Sequence, residues 1–224
     1  MILVYPDYQL EIALQENKII VLSVENTKAY STMLHDMWSQ IQGKTGGFIL
    51  SKQDKIVNIT KEAECIFNPF SLDCNDKKII NKLYQELKEQ ADSVLFTEGN
   101  ELNRYIINYL DKLFMQVPYA LDYNIDFDIS AILKAYSVKI ESYCENLLEQ
   151  IVEYIKIMNR ICNTHVFIFV DLKRYLSEQE LLHLYEFVFY EKIFLIIFEG
   201  KQSKPIFGEK YWILDEDLCI IEEK

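Results

Sequence analysis

The sequence predicts an α/β fold, and the strongest reason is the order of three segments near the carboxyl end. Val166 to Asp171 is apolar up to its final acid, as expected of a strand buried on both faces of a parallel sheet. A stretch with helical periodicity follows, and Ile193 to Phe198 is a second buried strand. Together these segments form a β-α-β unit, whose right-handed crossover requires a sheet to which it belongs.

The helix of this unit has a defined start. Ser177 is a predicted N-cap, and Glu180, three residues later, completes a capping box. The apolar stripe that follows consists of Leu181, Leu184, Tyr185 and Val188. Asp171 ends the first strand, at the edge where open α/β sheets bind their ligands.

Composition limits the class of protein. The chain has 224 residues, of which 50% are hydrophobic, so a sizeable core is expected. Its apolar runs are strand-length and its first residues lack a basic region, which predicts a cytoplasmic protein without a membrane span or signal peptide. The five cysteines form no C-x-x-C pair and are predicted to be reduced, buried thiols. A net charge of −12 argues against nucleic-acid binding unless positive charges converge locally and cations screen the rest.

The amino-terminal part begins with three predicted strands, Ile2 to Tyr5, Gln9 to Leu14 and Lys18 to Glu25. Asn26 or Thr27 then caps a helix that continues to Ile41. In nucleotide-binding proteins, a turn between a strand and a helix holds phosphate through a glycine-rich loop. The turn Glu25-Asn26-Thr27 has no glycine and places a carboxylate where phosphate would lie, so it is not predicted to bind phosphate.

Gly43-Lys44-Thr45 has the letters that end a P-loop signature. Trp38, however, occupies the position of the first glycine in that pattern, and the triplet follows a helix instead of a strand. We therefore predict a helix C-terminus with a glycine stop.

A β-hairpin is predicted from Phe48 to Ser51 and Lys55 to Ile59 around Lys52-Gln53-Asp54, followed by a strand from Glu64 to Phe67. The window from Lys44 to Lys61 contains four lysines and one acid, which makes it the most basic part of an acidic chain. The hairpin is either a lysine-bearing loop that reaches phosphates or a solvated tip.

Residues 69–162 are predicted to form a helical leg inserted into an α/β head of residues 1–68 and 163–224. Asp73 or Asn75 caps the first helix of the leg, and Glu98-Gly99-Asn100 separates it from the second. The later helices are predicted at Glu101 to Val117, Ile129 to Ala135 and Glu141 to Cys162. Apolar residues on the last helix alternate spacings of four and three, which predicts packing within one subunit or a coiled coil between subunits. They are Ile140, Cys144, Leu147, Ile151, Tyr154, Met158 and Ile161.

The leg also contains oxygen-bearing side chains at every second position, namely Asp122, Asn124, Asp126 and Asp128. In an extended segment all four point in the same direction, and hard cations such as calcium bind oxygen clusters. The alternative is that Asp128 caps a helix while the other three are solvated. No Ser-His-Asp or Cys-His arrangement stands out, so no catalytic residue is predicted.

Four segments together resemble the CRISPR-associated spacer-acquisition protein special to type II-A systems. They read NPFSLDCNDKKIINKLYQELKEQ, DISAILKAYSVKIE, FIFVDLKRYLSEQELLHLYEFV and KYWILDEDLCII. They occur in the same order and cover nearly the whole chain, including the insertion.

The resemblance implies a head similar to a P-loop ATPase whose phosphate loop has degenerated, with an inserted helical leg. It implies a homotetrameric ring that is not an enzyme, is stabilised by calcium, and binds double-stranded DNA ends during spacer acquisition. The integrase complex and the effector nuclease are the implied partners. Carried over by position, the calcium ligands are Asp122, Asn124, Asp126 and Asp128. The DNA-binding candidates are Lys44, Lys52 and Lys55 in the head and Lys134 and Lys139 in the leg, with Arg160 and Lys173 ranked below them.

Two other functions remain open at this point. One is a nucleotide hydrolase in which Asp171 holds magnesium, against which the missing phosphate loop argues. The other is a purely structural oligomer that recruits partners through its leg, which predicts no DNA binding at any calcium level.

Overall fold

The computed structural model describes residues 1–53 and 55–223, which divide into two compact units. The head consists of Met1–Cys74 and the chain from Ser142 onward, and the leg consists of Asn75–Glu141. The leg is shorter than predicted, because the last long helix belongs to the head. None of the helices in the described chain combines the length and apolarity that a bilayer crossing requires.

A large sheet lies at the centre of the head and confirms the α/β class. Its strands are β3 (Ile19–Val24), β6 (Ala63–Ile66), β7 (Val166–Val170), β8 (Phe194–Glu199), β9 (Glu209–Leu214) and β10 (Ile220–Glu223). Their spatial order is β10-β9-β3-β8-β7-β6. All neighbouring pairs are parallel except β10 with β9. Every residue of β3 and β7 is buried, as expected of strands covered on both faces.

A smaller antiparallel sheet and the first helix cover one face of the large sheet. The small sheet has the order β2-β1-β4-β5, formed by β1 (Ile2–Tyr5), β2 (Leu10–Ala13), β4 (Ile49–Lys52) and β5 (Lys55–Val57). Helix α1 (Thr27–Ile41) contributes Met33 and Met37 to the core, where Ile20 and Leu22 of β3 also lie. The short helix α2 (Ile59–Glu62) follows β5.

The β-α-β unit predicted near the carboxyl end is confirmed. Strands β7 and β8 pair in parallel, with α7 (Glu178–Tyr190) between them in the chain. Both hydrogen bonds of the capping box between Ser177 and Glu180 are present, and the predicted stripe on α7 is buried. Helix α6 (Leu147–Cys162) packs on α7.

Helix α6 begins six residues later than the predicted Glu141, because Asn146 caps it by accepting a hydrogen bond from the N–H of Glu149. Ile140 and Cys144 therefore lie outside the helix. Ile151, Tyr154 and Met158 are buried within the head of their own chain. This excludes the intersubunit coiled coil at these positions and confirms packing within one subunit.

The leg contains three helices, α3 (Lys77–Ser93), α4 (Phe96–Phe114) and α5 (Ile129–Ala135). Asp76 caps α3, so the prediction of Asp73 or Asn75 as the cap is wrong. The predicted break at Glu98-Gly99-Asn100 is also wrong, because α4 continues through it. A Cβ on Gly99 would lie 3.4 Å from the ring of Phe127, so the glycine lies where that ring touches the helix.

None of the five cysteines, all of which lie in the described residues, forms a disulfide, but the prediction that they are buried holds only for Cys74. Cys219 is exposed, and the other three are partly exposed.

Candidate nucleic-acid interface

The turn between β3 and α1, where a nucleotide-binding protein would hold phosphate, is closed by its own side chain. Asn26 Oδ1 accepts hydrogen bonds from the N–H groups of Lys28 and Ala29, at 3.1 Å and 3.0 Å. Its Nδ2 donates to the carbonyl oxygen of Glu216 at 2.9 Å. A phosphate requires free N–H groups at a helix start, and here the Asn26 side chain already occupies two of them.

Two carboxylates lie at the carboxyl edge of the large sheet, at the ends of neighbouring strands. Asp171 follows β7 with a left-handed φ of 52°, and its Oδ1 accepts a 3.3 Å hydrogen bond from the N–H of Gly200. Glu199 ends β8, is buried, and accepts a 3.1 Å hydrogen bond from the N–H of Lys173. Burial raises the pKa of Glu199 to about 7; the Lys173 hydrogen bond opposes the shift and the nearby Asp171 charge adds to it. The sequence analysis missed Glu199, although its place at the end of a buried run was a usable signal.

No metal cluster accompanies these two acids. Across residues 1–53 and 55–223, no three His, Cys, Asp or Glu side chains are grouped so that they could hold a metal ion. The hydrolase alternative therefore lacks both a phosphate cradle and a three-acid metal site in the part of the chain that the structure describes.

Gly43-Lys44-Thr45 is a helix stop, as predicted. Gly43 has a φ of 76°, and the N–H of Lys44 donates to the carbonyl oxygen of Ser39 at 2.9 Å. This pattern of a left-handed glycine and a bond spanning the last helical turn is the Schellman motif. It leaves the side chain of Lys44 exposed beside the start of the small-sheet hairpin.

Side chains of α1 fix the loop between this stop and β4. Asp36 Oδ2 accepts hydrogen bonds from the Tyr5 hydroxyl at 2.8 Å and from the N–H of Gly47 at 2.9 Å. The side-chain amide of Gln40 bonds both the N–H and the carbonyl oxygen of Phe48, at 3.0 Å and 2.7 Å. The base of the β4–β5 hairpin is therefore attached to the helix at several points.

The lysines of the hairpin face one another. Lys52 and Lys55 are register partners across β4 and β5, and both are exposed. Asp54, which the sequence analysis placed in the turn, lies outside the described residues. A cleft of about 290 Å³ lies between the end of α1 and the hairpin, and Lys44 and Ile56 are among the residues that line it. The structure thus brings Lys44 to the same part of the head as the hairpin.

The hairpin lysines have no acidic partners in the described chain. Lys44, Lys52 and Lys55 form no ion pair with any described Asp or Glu side chain. Lys173, by contrast, has a side chain only 7% exposed and is paired with Glu209, so it is not available to DNA. Arg160 is exposed, and its guanidinium lies 3.7 Å from the carboxylate of Glu191.

The two leg candidates, Lys134 and Lys139, are also exposed. Lys134 lies in the last turn of α5, and Lys139 follows that helix. The hydroxyl of Tyr84 in α3 donates to the carbonyl oxygen of Val138, at 2.8 Å, and so holds this segment against α3.

The acidic segment of the leg is an irregular loop instead of an extended ladder. Asn124 Oδ1 accepts a hydrogen bond from the N–H of Asp126, and Asp128 caps α5 by accepting one from Ser130. Asp122 Oδ1 accepts from the N–H of Tyr123. Their carboxylate and amide oxygens suit a hard cation, but the described chain contains no three-residue metal cluster here or elsewhere.

Three known proteins are similar to this chain to different degrees. CRISPR-associated protein Csn2 of Streptococcus agalactiae is 19% identical over 209 residues, which cover 91% of this chain and 90% of that protein. The crystal structure of Stu0660 of Streptococcus thermophilus aligns with a TM-score of 0.64 and 11% identity, and covers 100% of this chain and 76% of that one. The ATP-binding cassette MJ1267 of an ABC transporter, in its ADP conformation, aligns with a TM-score of 0.48 and 12% identity. This alignment covers 96% of this chain and 83% of the MJ1267 chain.

The family comparison covers both the head and the leg. The sequence profile described as CRISPR-associated protein (Cas_Csn2) matches residues 40–218, which include the hairpin, the complete leg and most of the large sheet. Because this match extends over most of the chain and agrees with the curated relative and the fold, the protein belongs to the Csn2 family of CRISPR-associated proteins of type II-A systems.

Proposed function

We propose that this protein binds the ends of double-stranded DNA, without sequence preference, as a homotetrameric ring that supports the acquisition of new spacers. It has no catalytic activity of its own in this proposal. It acts with the integrase complex and the effector nuclease of the same CRISPR system. Membership of the Csn2 family supports a role in a CRISPR system. The lysine hairpin supports DNA as the ligand.

The observation that carries the proposal is the pair Lys52 and Lys55. Two like charges directly opposite one another in a sheet destabilise it, and no described acid offsets them. A DNA phosphate would remove this repulsion. Contacts to phosphates position a protein on the duplex but do not read its bases, so binding through these lysines is independent of sequence.

Helix α4 supports self-association. Leu102, Tyr105, Tyr109 and Leu113 follow one another at spacings of three and four residues, which places them on one face of the helix. These side chains are 44% to 66% exposed, and α4 contains no buried residue. An apolar stripe of this kind marks an interaction surface, and we assign it to another copy of the chain in the tetramer.

Calcium binding by the acidic loop of the leg is also part of the proposal. The oxygen side chains fit the cation chemically, but a single chain does not present them as a formed cluster. Asp122, Asn124, Asp126 and Asp128 are the residues that would hold the ion, and we expect the loop to rearrange when it binds.

Threading of a DNA end through a ring is tested by comparing two forms of one plasmid. The closed circular form has no end, whereas the same plasmid cut once has two. We expect binding of the cut form only, measured by mobility shift in calcium. Equal affinity for both forms would contradict threading, and no binding of either form at any calcium level would favour the structural oligomer.

A double variant tests the choice of lysines in the head. Each phosphate contact contributes a slope of about −0.9 to the dependence of log affinity on log salt concentration. Lys52→Gln with Lys55→Gln should flatten this slope measurably and leave affinities for different sequences equal to one another. An unchanged slope would show that the hairpin does not contact DNA.

A further inference from the structure

The hairpin of β9 and β10 ends the large sheet with an unpaired edge. Strand β10 pairs with β9 on one side, and no other described strand pairs with it on the other. The main-chain N–H and C=O groups along such an edge can receive a further strand, which natural proteins prevent with lysines, prolines or a covering element. Residues 220–223 contain no lysine and no proline, and their charged side chains are the glutamates Glu222 and Glu223.

Acidic side chains surround this edge. Residues 215–223 contain five acids and no base, namely Asp215, Glu216, Asp217, Glu222 and Glu223. Glu222 is paired with Lys210 at 2.6 Å. The other four form no ion pair with a described lysine, arginine or histidine. The edge is therefore strongly negative, so it repels DNA and other acidic chains and attracts basic ones.

Leu218, at the tip of the hairpin, is both strained and exposed. Its φ of 65° lies in the left-handed region. Its N–H donates to the carbonyl oxygen of Asp215 at 3.1 Å and closes a turn. Glycine is the usual residue at the left-handed position of a three-residue hairpin loop. The leucine side chain is 43% exposed, so packing within the chain does little to offset the strain.

Leu218 also lines a cleft between the hairpin and the turn after β1. The cleft has a volume of about 530 Å³ and is lined by Asp7, Tyr8, Gln9, Leu218, Cys219 and Ile220. The side chain of Asn26 donates to the carbonyl oxygen of Glu216 at 2.9 Å, which attaches the hairpin tip to the start of α1. An apolar side chain can enter the cleft and contact Leu218 while acids remain around it.

We infer that β10 binds an extended, lysine- and arginine-rich segment of another protein, which adds to the large sheet as a further strand. Main-chain hydrogen bonds to the open edge supply affinity, and the acids select basic side chains. A second copy of β10 fits less well, because it would bring its own glutamates against Glu222 and Glu223. This inference is independent of the proposed binding of DNA.

The test uses the full-length protein and a labelled peptide of about ten residues in which lysine and valine alternate, a length that covers one strand. A second peptide has the same side chains, but its alternate main-chain nitrogens are methylated and cannot donate hydrogen bonds. By fluorescence anisotropy, the second peptide should bind about tenfold more weakly than the first. The first peptide should also slow hydrogen exchange in residues 220–223.

Variants of the protein separate charge from apolar contact. Asp217→Asn with Glu223→Gln should weaken binding of the first peptide about fivefold, the effect of losing two exposed ion pairs. Glu86→Gln with Asp92→Asn is the matched control, because it changes the same residue types at exposed positions of α3, and it should keep the wild-type affinity. Leu218→Gly should weaken binding and yet raise the melting temperature, because it removes the apolar contact and relieves the left-handed strain.

Three results would overturn the inference. They are failure of the wild-type protein to bind the first peptide, equal affinity for the two peptides, and an equal loss of affinity in the α3 control. Hydrogen exchange also distinguishes the remaining occupant. If protection of residues 220–223 increased with protein concentration in the absence of peptide, the edge would pair with another copy of the chain instead of a basic partner.

Discussion

Lys173 and Glu209 form an ion pair inside the head. The Lys173 ammonium lies 2.9 Å from the Glu209 carboxylate, and the two side chains are 7% and 0% exposed. Glu209 also accepts hydrogen bonds from the Tyr185 hydroxyl, at 2.5 Å, and from the N–H of Ile206, at 2.7 Å. The pair thus joins the turn after β7, helix α7 and the start of β9.

Removing one partner of this pair should destabilise the folded protein, because it leaves the other partner as an uncompensated buried charge. We expect Lys173→Met to lower the free energy of unfolding by about 3–5 kcal/mol, measured by urea denaturation. Lys210→Met is the matched control, since the Lys210–Glu222 pair at 2.6 Å is partly solvated. It should cost at most about 1 kcal/mol. Equal costs for the two variants would show that the buried pair has no special role.

Glu199 should make stability depend on pH. Burial raises its pKa in the folded protein from 4.5 to about 7, so the folded state binds a proton more tightly than the unfolded chain does. The stability associated with this group is fully present below pH 4.5 and is lost as the pH rises toward 7. The total loss is about 3 kcal/mol, because one pKa unit corresponds to about 1.4 kcal/mol.

The variant Glu199→Gln keeps an acceptor for the N–H of Lys173 but has no charge. It should therefore be more stable than the wild type at pH 8 and similar to it at pH 4.5, measured by urea unfolding at both values. Glu186→Gln, on the exposed side of α7, is the control and should behave as the wild type does at both pH values. An equal gain in unfolding free energy at both pH values would show that the charge of buried Glu199 is not the cause of the pH dependence.

The protein should not hydrolyse ATP. The N–H groups of Lys28 and Ala29 at the start of α1 are already bonded to Asn26, so a nucleotide phosphate would have to displace that side chain to reach them. We expect phosphate release to equal that of Asp171→Ala. Turnover clearly above that variant would restore the hydrolase alternative.

Calcium should stabilise the leg through its acidic loop. Asp126→Asn with Asp128→Asn removes two charges, yet Asn remains a good N-cap for α5. We therefore expect the melting temperature in EDTA to be nearly unchanged and the increase caused by calcium to be lost. An equal decrease in both buffers would mean that these residues act only as caps and solvated side chains.

The apolar stripe on α4 should control the oligomeric state. Light scattering in calcium should show a tetramer for the wild type, and Leu102→Ser with Leu113→Ser should shift the mass toward smaller species. Ile56→Ser is the control, because Ile56 is 77% exposed but lies on the head hairpin. A wild-type mass for the α4 variant would place the interface elsewhere.

Features encoded within a few residues could be predicted from the sequence. The start of α1 at Asn26 and the capping box of Ser177 and Glu180 depend on side chains within three residues of the groups they cap. Strands β3, β7 and β8 were predictable because burial on both faces leaves continuous apolar runs, whereas β9 and β10 were not predicted. The basic hairpin was predictable because its lysines are neighbours in the chain.

Features that depend on distant contacts could not be predicted. Gly99 resembles a helix break in the sequence, and only the structure shows that it lies inside α4, beside the ring of Phe127. Asn75 resembles a helix cap, but its side chain instead bonds the main chain of Ile140, 65 residues away. That pairing of the residue before α3 with the segment after α5 could be found only in three dimensions.

The attachment of the loop before β4 has a consequence for the entropy of binding. A Cβ on Gly47 would lie 2.5 Å from the ring of Tyr5, so the loop is in close contact with the small sheet as well as bonded to Asp36. Because the base of the hairpin is already fixed by these contacts, the proposed binding of DNA does not have to order that part of the loop. Preorganisation of this kind reduces the cost of association, and a larger residue at Gly47 would weaken binding without altering a single charge.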